Sequence, residues 1–468
     1  MSKVFLQRVV LFGTYLFFLA SFTAIFLSRY YSFQFFYYDL GIFARVIWQL
    51  SRFIPATFQH IALGEVFFLG DHFNPSLALL APLFWITSDL RILLFEQVLA
   101  LVGCSVVLYV IARKIKLSFF AGYTFSLLFL LFAGVQNPVV SDWHPEPTAA
   151  FVLLLFVYLF LFTKRKILTL LSFFVFLGFK ESNALTILPV LAIFFFKFPE
   201  RRRVIGVFAV IAVVWFFLTT KVLIPGISNH EYYYVPTLPS TFTQVIESLS
   251  ETEKWSLVFK SLASFGFLPL LGGLFILPVI YELGIRIYPV SSYFQNFTLT
   301  LHYNVYLGVF LTLSSIYAWK FLATKIRKER LQIATLCFLI FFSLFVGRKI
   351  TNAPVFLVTN PVFWSSISPR SDLFEAIEKV PNGKTIAAQN NLLPLLSMRK
   401  ESVYPIDKNI ALLNPEVILF DLTPGQNPNN FYLTSEKLLK KDLQRLIKDE
   451  DYKRIILSNE NIYLFVKN

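Results

Sequence analysis

Runs of apolar residues, each closed by a short polar or basic cluster, follow one another from the N-terminus to Gly347. A helix of about twenty apolar residues crosses a bilayer. That ruler marks candidate crossings at 4–27, 92–112, 119–135, 148–162, 167–179, 184–196, 204–223, 299–322 and 331–346. Several are shorter than the ruler and are expected to tilt, to lie recessed or to borrow residues from their flanks. Between 255 and 287, Gly266, Pro269, Gly272, Gly273 and Pro278 interrupt any helix, so this stretch predicts a hairpin or re-entrant pair.

The first outer loop, 28–91, is mixed in polarity and predicts short helices at the membrane surface, one of them over 75–85. Beyond Gly347 the pattern turns polar and alternates. Helices are expected at 372–379 and 436–448, strands at 384–388 and 417–420, and a closing strand pair at 454–457 and 462–466. The expected architecture is an α-helical polytopic membrane protein of about 9 to 11 transmembrane helices. Residues 1–348 form the membrane domain, and 349–468 a small extracytoplasmic α/β domain.

Composition agrees with this outline. The chain is 56% hydrophobic and 18% aromatic, with 56 Phe and only 15% charged residues, too much apolar surface for one soluble core. The net charge of +14 does not suggest nucleic acid, because it gathers at helix ends, in Arg113–Lys116, Lys164–Lys166, Arg201–Arg203 and Lys325–Lys328. Such clusters mark cytoplasmic loops and attract anionic lipid. With them inside a cell membrane, 136–147, 180–183 and 225–254 fall outside. Cys104 and Cys337 both lie in apolar segments, so neither a disulfide framework nor a thiolate metal site is expected. Asn296-Phe297-Thr298 matches a glycosylation sequon and is read as incidental.

The outer loops collect acids and imidazoles in a chain otherwise sparing with charge. The first carries Asp39, His60, Asp71 and His72; the second reads Asp142-Trp143-His144-Pro145-Glu146-Pro147. Its prolines keep the piece out of a helix, and alternate positions of an extended strand would turn Asp142, His144 and Glu146 the same way. Oxygen and imidazole donors suit a divalent cation, Mg²⁺ or Mn²⁺, or zinc. The plainer alternative is carboxylates capping the helix near Thr148. Asp39 is either a cap on the following helix or the general base or metal ligand of a transfer reaction. Lys180 is a snorkelling side chain or a ligand for a lipid phosphate, with Glu181 joining the cation site. His302 and Arg370 are further candidates for phosphate or substrate binding.

Tyr38-Asp39-Leu40-Gly41-Ile42-Phe43, Gly70-Asp71-His72-Phe73-Asn74-Pro75, the Asp142–Glu146 loop, Lys180-Glu181, Thr385–Asn390 and Leu395–Arg399 occur in that order. Together they resemble the domain-of-unknown-function 2079 family of predicted membrane proteins. That family looks like a branch of the GT-C superfamily of glycosyltransferases, which use polyprenyl-phosphate-linked sugars. The resemblance implies that Asp39 is the essential acid of the first loop and that Asp142, His144 and Glu146 stand where acidic metal ligands often lie. His72-Phe73-Asn74-Pro75 only approximates the proline motif before the second span, having one proline where two are usual.

Two other classes compete. A lipid or glycolipid transporter or flippase predicts charges near the bilayer centre and an inverted repeat. A non-catalytic scaffold predicts no cluster of acids and imidazoles drawn from separate loops.

Overall fold

The computed structural model describes residues 2–290, 297–407 and 413–468; Asn296 of the sequon lies outside them. The first helix, Lys3–Tyr31, starts where the Ser2 hydroxyl accepts the Phe5 amide N–H, and it runs about 43 Å at 1.5 Å per residue. One stripe, Phe18, Phe22, Ile25 and Phe26, is buried at helical spacing, whereas Val4, Phe5, Phe12 and Phe17 stand exposed. The same exposed apolar faces recur on Arg202–Leu218, at Val207, Val210 and Val214, and on Glu329–Lys349, at Phe338, Phe341 and Phe345. Phe341 is 70% exposed and Val210 63%. Water would penalise such faces and acyl chains would not. Val305–Lys325 lies at the centre, with most of its side chains buried.

Among the described residues, five helices are long and apolar enough to cross a membrane. A sixth crossing results if Phe119–Leu131 and Ala133–Val140, bent by 45°, count as one. The bend follows from Phe132, which leaves the helical region at ψ 121° and ends the first piece. The larger sequence-based number includes Glu146–Phe162, Lys166–Leu177 and Asn183–Lys197, apolar helices that fall short of the bilayer ruler. The interrupted stretch is likewise broken. Thr252–Ala263 and Leu277–Ile287 are joined by two short 3₁₀ turns, with Gly266 and Gly273 at positive φ.

The first loop contains more than surface helices. A π-helical turn, Tyr37–Gly41, leads into the helix Ile42–Ser51. An antiparallel hairpin of Thr57–His60 and Gly64–Phe67 follows, turning at Gly64 with φ +77°. The apolar piece expected at 75–85 is split into a 3₁₀ turn, Pro75–Leu80, and a single helical turn, Leu83–Ile86.

The tail builds a five-stranded mixed sheet in the order Val403–Pro405, Ile386–Ala388, Val417–Asp421, Ile462–Lys467, Tyr452–Ile455. The first three strands are parallel and the last two antiparallel to their neighbours. Ser371–Glu378 and Glu436–Leu446 supply the expected helices, the second capped by Ser435. The tail is stitched to the first loop. Arg45, 2% exposed, donates to the Thr57 carbonyl and to those of Ser397, Arg399 and Glu401, while the Tyr37 amide N–H donates to Asn390.

Candidate functional site

Asp39 sits in the π-helical turn and caps nothing: Ile42–Ser51 begins without a side-chain cap. Its Oδ1 lies 2.8 Å from His144 Nε2 instead. His144 is held from behind, its amide N–H donating to Gln97 Oε1 at 2.9 Å. The neighbouring Trp143 is fully buried and donates its indole N–H to Glu96 at 3.1 Å. The second imidazole nitrogen, Nδ1, lies 2.9 Å from Glu146 Oε2. Glu146 begins its helix just before the apolar run, and its other oxygen is 3.1 Å from Lys180 Nζ. His302 stacks on His144 with centroids 3.3 Å apart and its Nε2 3.8 Å from Glu146 Oε1.

Charges in this cluster are balanced. Burial works against the His144 imidazolium, but Glu146 and Asp39 outweigh it and push its pKa up to about 9. Burial would also raise Glu146; Lys180 and the imidazoles hold it well below the usual carboxylate range. Burial and the neighbouring His144 charge keep His302 neutral. A protonated His144 therefore donates from both nitrogens, one to each carboxylate.

Asp142 faces elsewhere. Its Oδ1 accepts the Phe36 amide N–H at 2.9 Å, tying the first loop to the second. Burial and then Asp39 raise its pKa well above the carboxylate range. Among the described residues, the three groups whose ligand atoms lie within 4.8 Å of one another are His144, Glu146 and His302. Two imidazoles and one carboxylate match the donor set of zinc better than that of Mg²⁺ or Mn²⁺, which favour oxygen. Glu181 is fully buried and serves the first loop, accepting from Phe73 N–H at 3.0 Å, meeting His72 Nδ1 at 2.9 Å and accepting from the Tyr232 hydroxyl at 2.7 Å. Arg370 belongs to the tail, paired with Asp372 and Asp421 and outside the cavity lining.

Asp39, His144, Lys180 and His302 border a cavity of about 550 Å³. Four of the chain's five histidines line it, His60, His72, His144 and His302, beside Asp39 and Lys180. Tyr432 of the tail closes one side, edge-on to Tyr38 at 5.5 Å. Glu96 and Gln97, which orient the second loop, escaped the sequence reading. Their signal was two polar residues inside an otherwise apolar helix, where such groups are costly unless used.

Among curated proteins, none matches the chain. The family model described as predicted membrane protein, DUF2079, matches residues 29–460, and the chain belongs to that family of membrane proteins.

Proposed function

We propose that this protein is an inverting membrane glycosyltransferase of the GT-C type. It moves a sugar from a polyprenyl-phosphate carrier to an acceptor hydroxyl at the outer face of the cell membrane, where the tail also lies. The observation that carries the reading is the run Asp39–His144–Glu146–Lys180, drawn from three separate loops to one cavity with each contact at 2.8–3.1 Å. A scaffold has no use for such a run, because assembling buried charges costs free energy.

Asp39, its side chain 38% exposed toward the cavity, takes the proton of the acceptor hydroxyl. The hydroxyl oxygen forms a bond to the anomeric carbon as the bond from that carbon to the phosphate oxygen breaks. The bonding pair leaves with the polyprenyl phosphate. Attack from the face opposite the leaving group inverts the anomeric centre. Lys180 places positive charge where the phosphate gathers negative charge, and His144 holds the Asp39 carboxyl in a fixed orientation. A divalent cation would have to displace the His144 Nδ1 proton; held then by His144, Glu146 and His302, it would add Lewis-acid polarisation at that phosphate. Tyr432 and Tyr38 give the tail a wall of the cavity from which to hold the acceptor.

The test uses purified protein in lipid vesicles with polyprenyl-phosphate-linked hexoses and pentoses and a cell-envelope extract as acceptor. Release of polyprenyl phosphate is expected, with a product of inverted anomeric configuration. No release from any donor, or equal release after Asp39→Ala and Glu146→Ala, would count against the reading.

A further inference from the structure

Away from Asp39, the same cavity contains two buried polar atoms with no hydrogen-bond partner among the described residues, His60 Nε2 and Asn74 Oδ1. The two residues are 8% and 6% exposed. Unpaired buried polar atoms are uncommon and need a reason. The state of the histidine is fixed by its surroundings. His60 Nδ1 accepts the amide N–H groups of Ala62 and Leu63 at 3.0 and 3.1 Å, so the imidazole proton sits on Nε2. Nε2 is therefore a donor with nothing to donate to, and its proton bars it from ligating a metal. Asp71 Oδ1 lies 3.5 Å away without forming that hydrogen bond, and it accepts from the Tyr234 hydroxyl at 2.7 Å. Burial keeps His60 neutral by lowering its pKa.

Charge separates the two ends of the cavity. Lys180 stands at the Asp39 end, whereas Asp71 stands at this one. A phosphate here would face the Asp71 carboxylate, and a hydrocarbon would leave both unpaired atoms unsatisfied. A neutral sugar ring answers the whole set. Adjacent hydroxyls accept from His60 and donate to Asn74 and Asp71, and its C–H face packs on an aromatic ring. Tyr234 offers that ring, steadied by stacking on His72 at 4.1 Å with 16° between planes.

We propose that His60, Asp71 and Asn74 form a subsite for the ring of a neutral sugar, walled by Tyr234. The proposal rests on the glycosyl-transfer reading and orients the ligand, with phosphate toward Lys180 and sugar toward Asp71.

The experiment probes the full-length protein in lipid nanodiscs by saturation-transfer NMR, using methyl glycosides of neutral hexoses and pentoses. At least one glycoside binds saturably, and Asn74→Leu and His60→Phe each weaken it by about tenfold or more. Tyr234→Ala, at a residue 39% exposed, removes the wall without opening the buried core and weakens binding in the same sense, which keeps the test decisive if a buried variant fails to fold. No saturable binding, or binding that none of the folded variants changes, overturns the subsite. Dodecyl phosphate and a dodecyl-phosphate-linked hexose then separate the sources of the sugar. A gain of about tenfold for the linked probe over dodecyl phosphate marks the donor sugar, while additive binding of glycoside and dodecyl phosphate marks an acceptor. A protein that binds glycosides but never dodecyl phosphate keeps the subsite and loses the polyprenyl-phosphate reading.

Discussion

Asp39 and His144, 105 positions apart in the chain, meet at 2.8 Å across the two loops that enclose the cavity. The contact depends on local features of both loops. The π-helical turn frees Asp39 from capping duty, and Gln97 and Glu96 fix the backbone and flank of His144. A single imidazolium then serves two carboxylates that would otherwise repel each other.

Lys180 is the next member of that run, and its removal leaves Glu146 charged and buried. Lys180→Met is expected to destabilise the fold by about 3 to 5 kcal/mol, since breaking a buried pair strands the remaining charge. Glu146→Gln in the same chain should recover most of the loss. Thermal unfolding of both single variants and the double variant in detergent checks this as a double-mutant cycle.

The His144, Glu146 and His302 donor set is expected to bind Zn²⁺ in preference to Mg²⁺. Micromolar Zn²⁺ should raise the unfolding temperature of the purified protein, millimolar Mg²⁺ should not, and His302→Ala should abolish the zinc effect. Equal stabilisation by both ions would refute the assignment.

Glu181 gives a pH dependence of defined sign. Burial would raise its pKa, but His72, Lys180 and the Tyr232 hydroxyl pull it down to about 2 from an ordinary 4.5. Its contribution to stability is therefore complete above about pH 4.5 and is lost as pH falls toward 2, by roughly 3 kcal/mol at most. Acid unfolding should be shallower in Glu181→Gln than in wild type over that window.

Arg45 couples the tail to the first loop through four backbone carbonyls. Arg45→Ala leaves these acceptors without their charged donor, at a cost of about 1–3 kcal/mol for groups that stay buried. Hydrogen exchange should accelerate across 397–401 before the rest of the sheet opens.

Much of the outline was readable from residue order. Basic clusters and apolar runs gave the membrane class, Gly266 through Pro278 gave the broken stretch, and alternation gave four strands of the tail. The hairpin at Thr57–Phe67 was not readable, because two four-residue strands around a lone Gly64 carry little periodic signal. Val403–Pro405 escaped for the same reason: three residues hold no pattern. In the site, Asp39, His144, Glu146 and Lys180 were legible as scarce charge on loops. Partners were not legible, since Asp142 pairs with a backbone amide that any residue could supply. His302 reaches Glu146 from 156 positions away, a closeness that only the packed helices create.

The central claim is that Asp39 is the base of a sugar transfer. Asp39→Asn keeps an oxygen toward His144 but cannot take a proton, so it separates geometry from chemistry. Single-turnover transfer from a polyprenyl-phosphate-linked sugar should slow by about 10²- to 10⁴-fold, with carrier affinity and unfolding temperature unchanged. A transfer rate within about threefold of wild type, measured on folded protein, would contradict the claim.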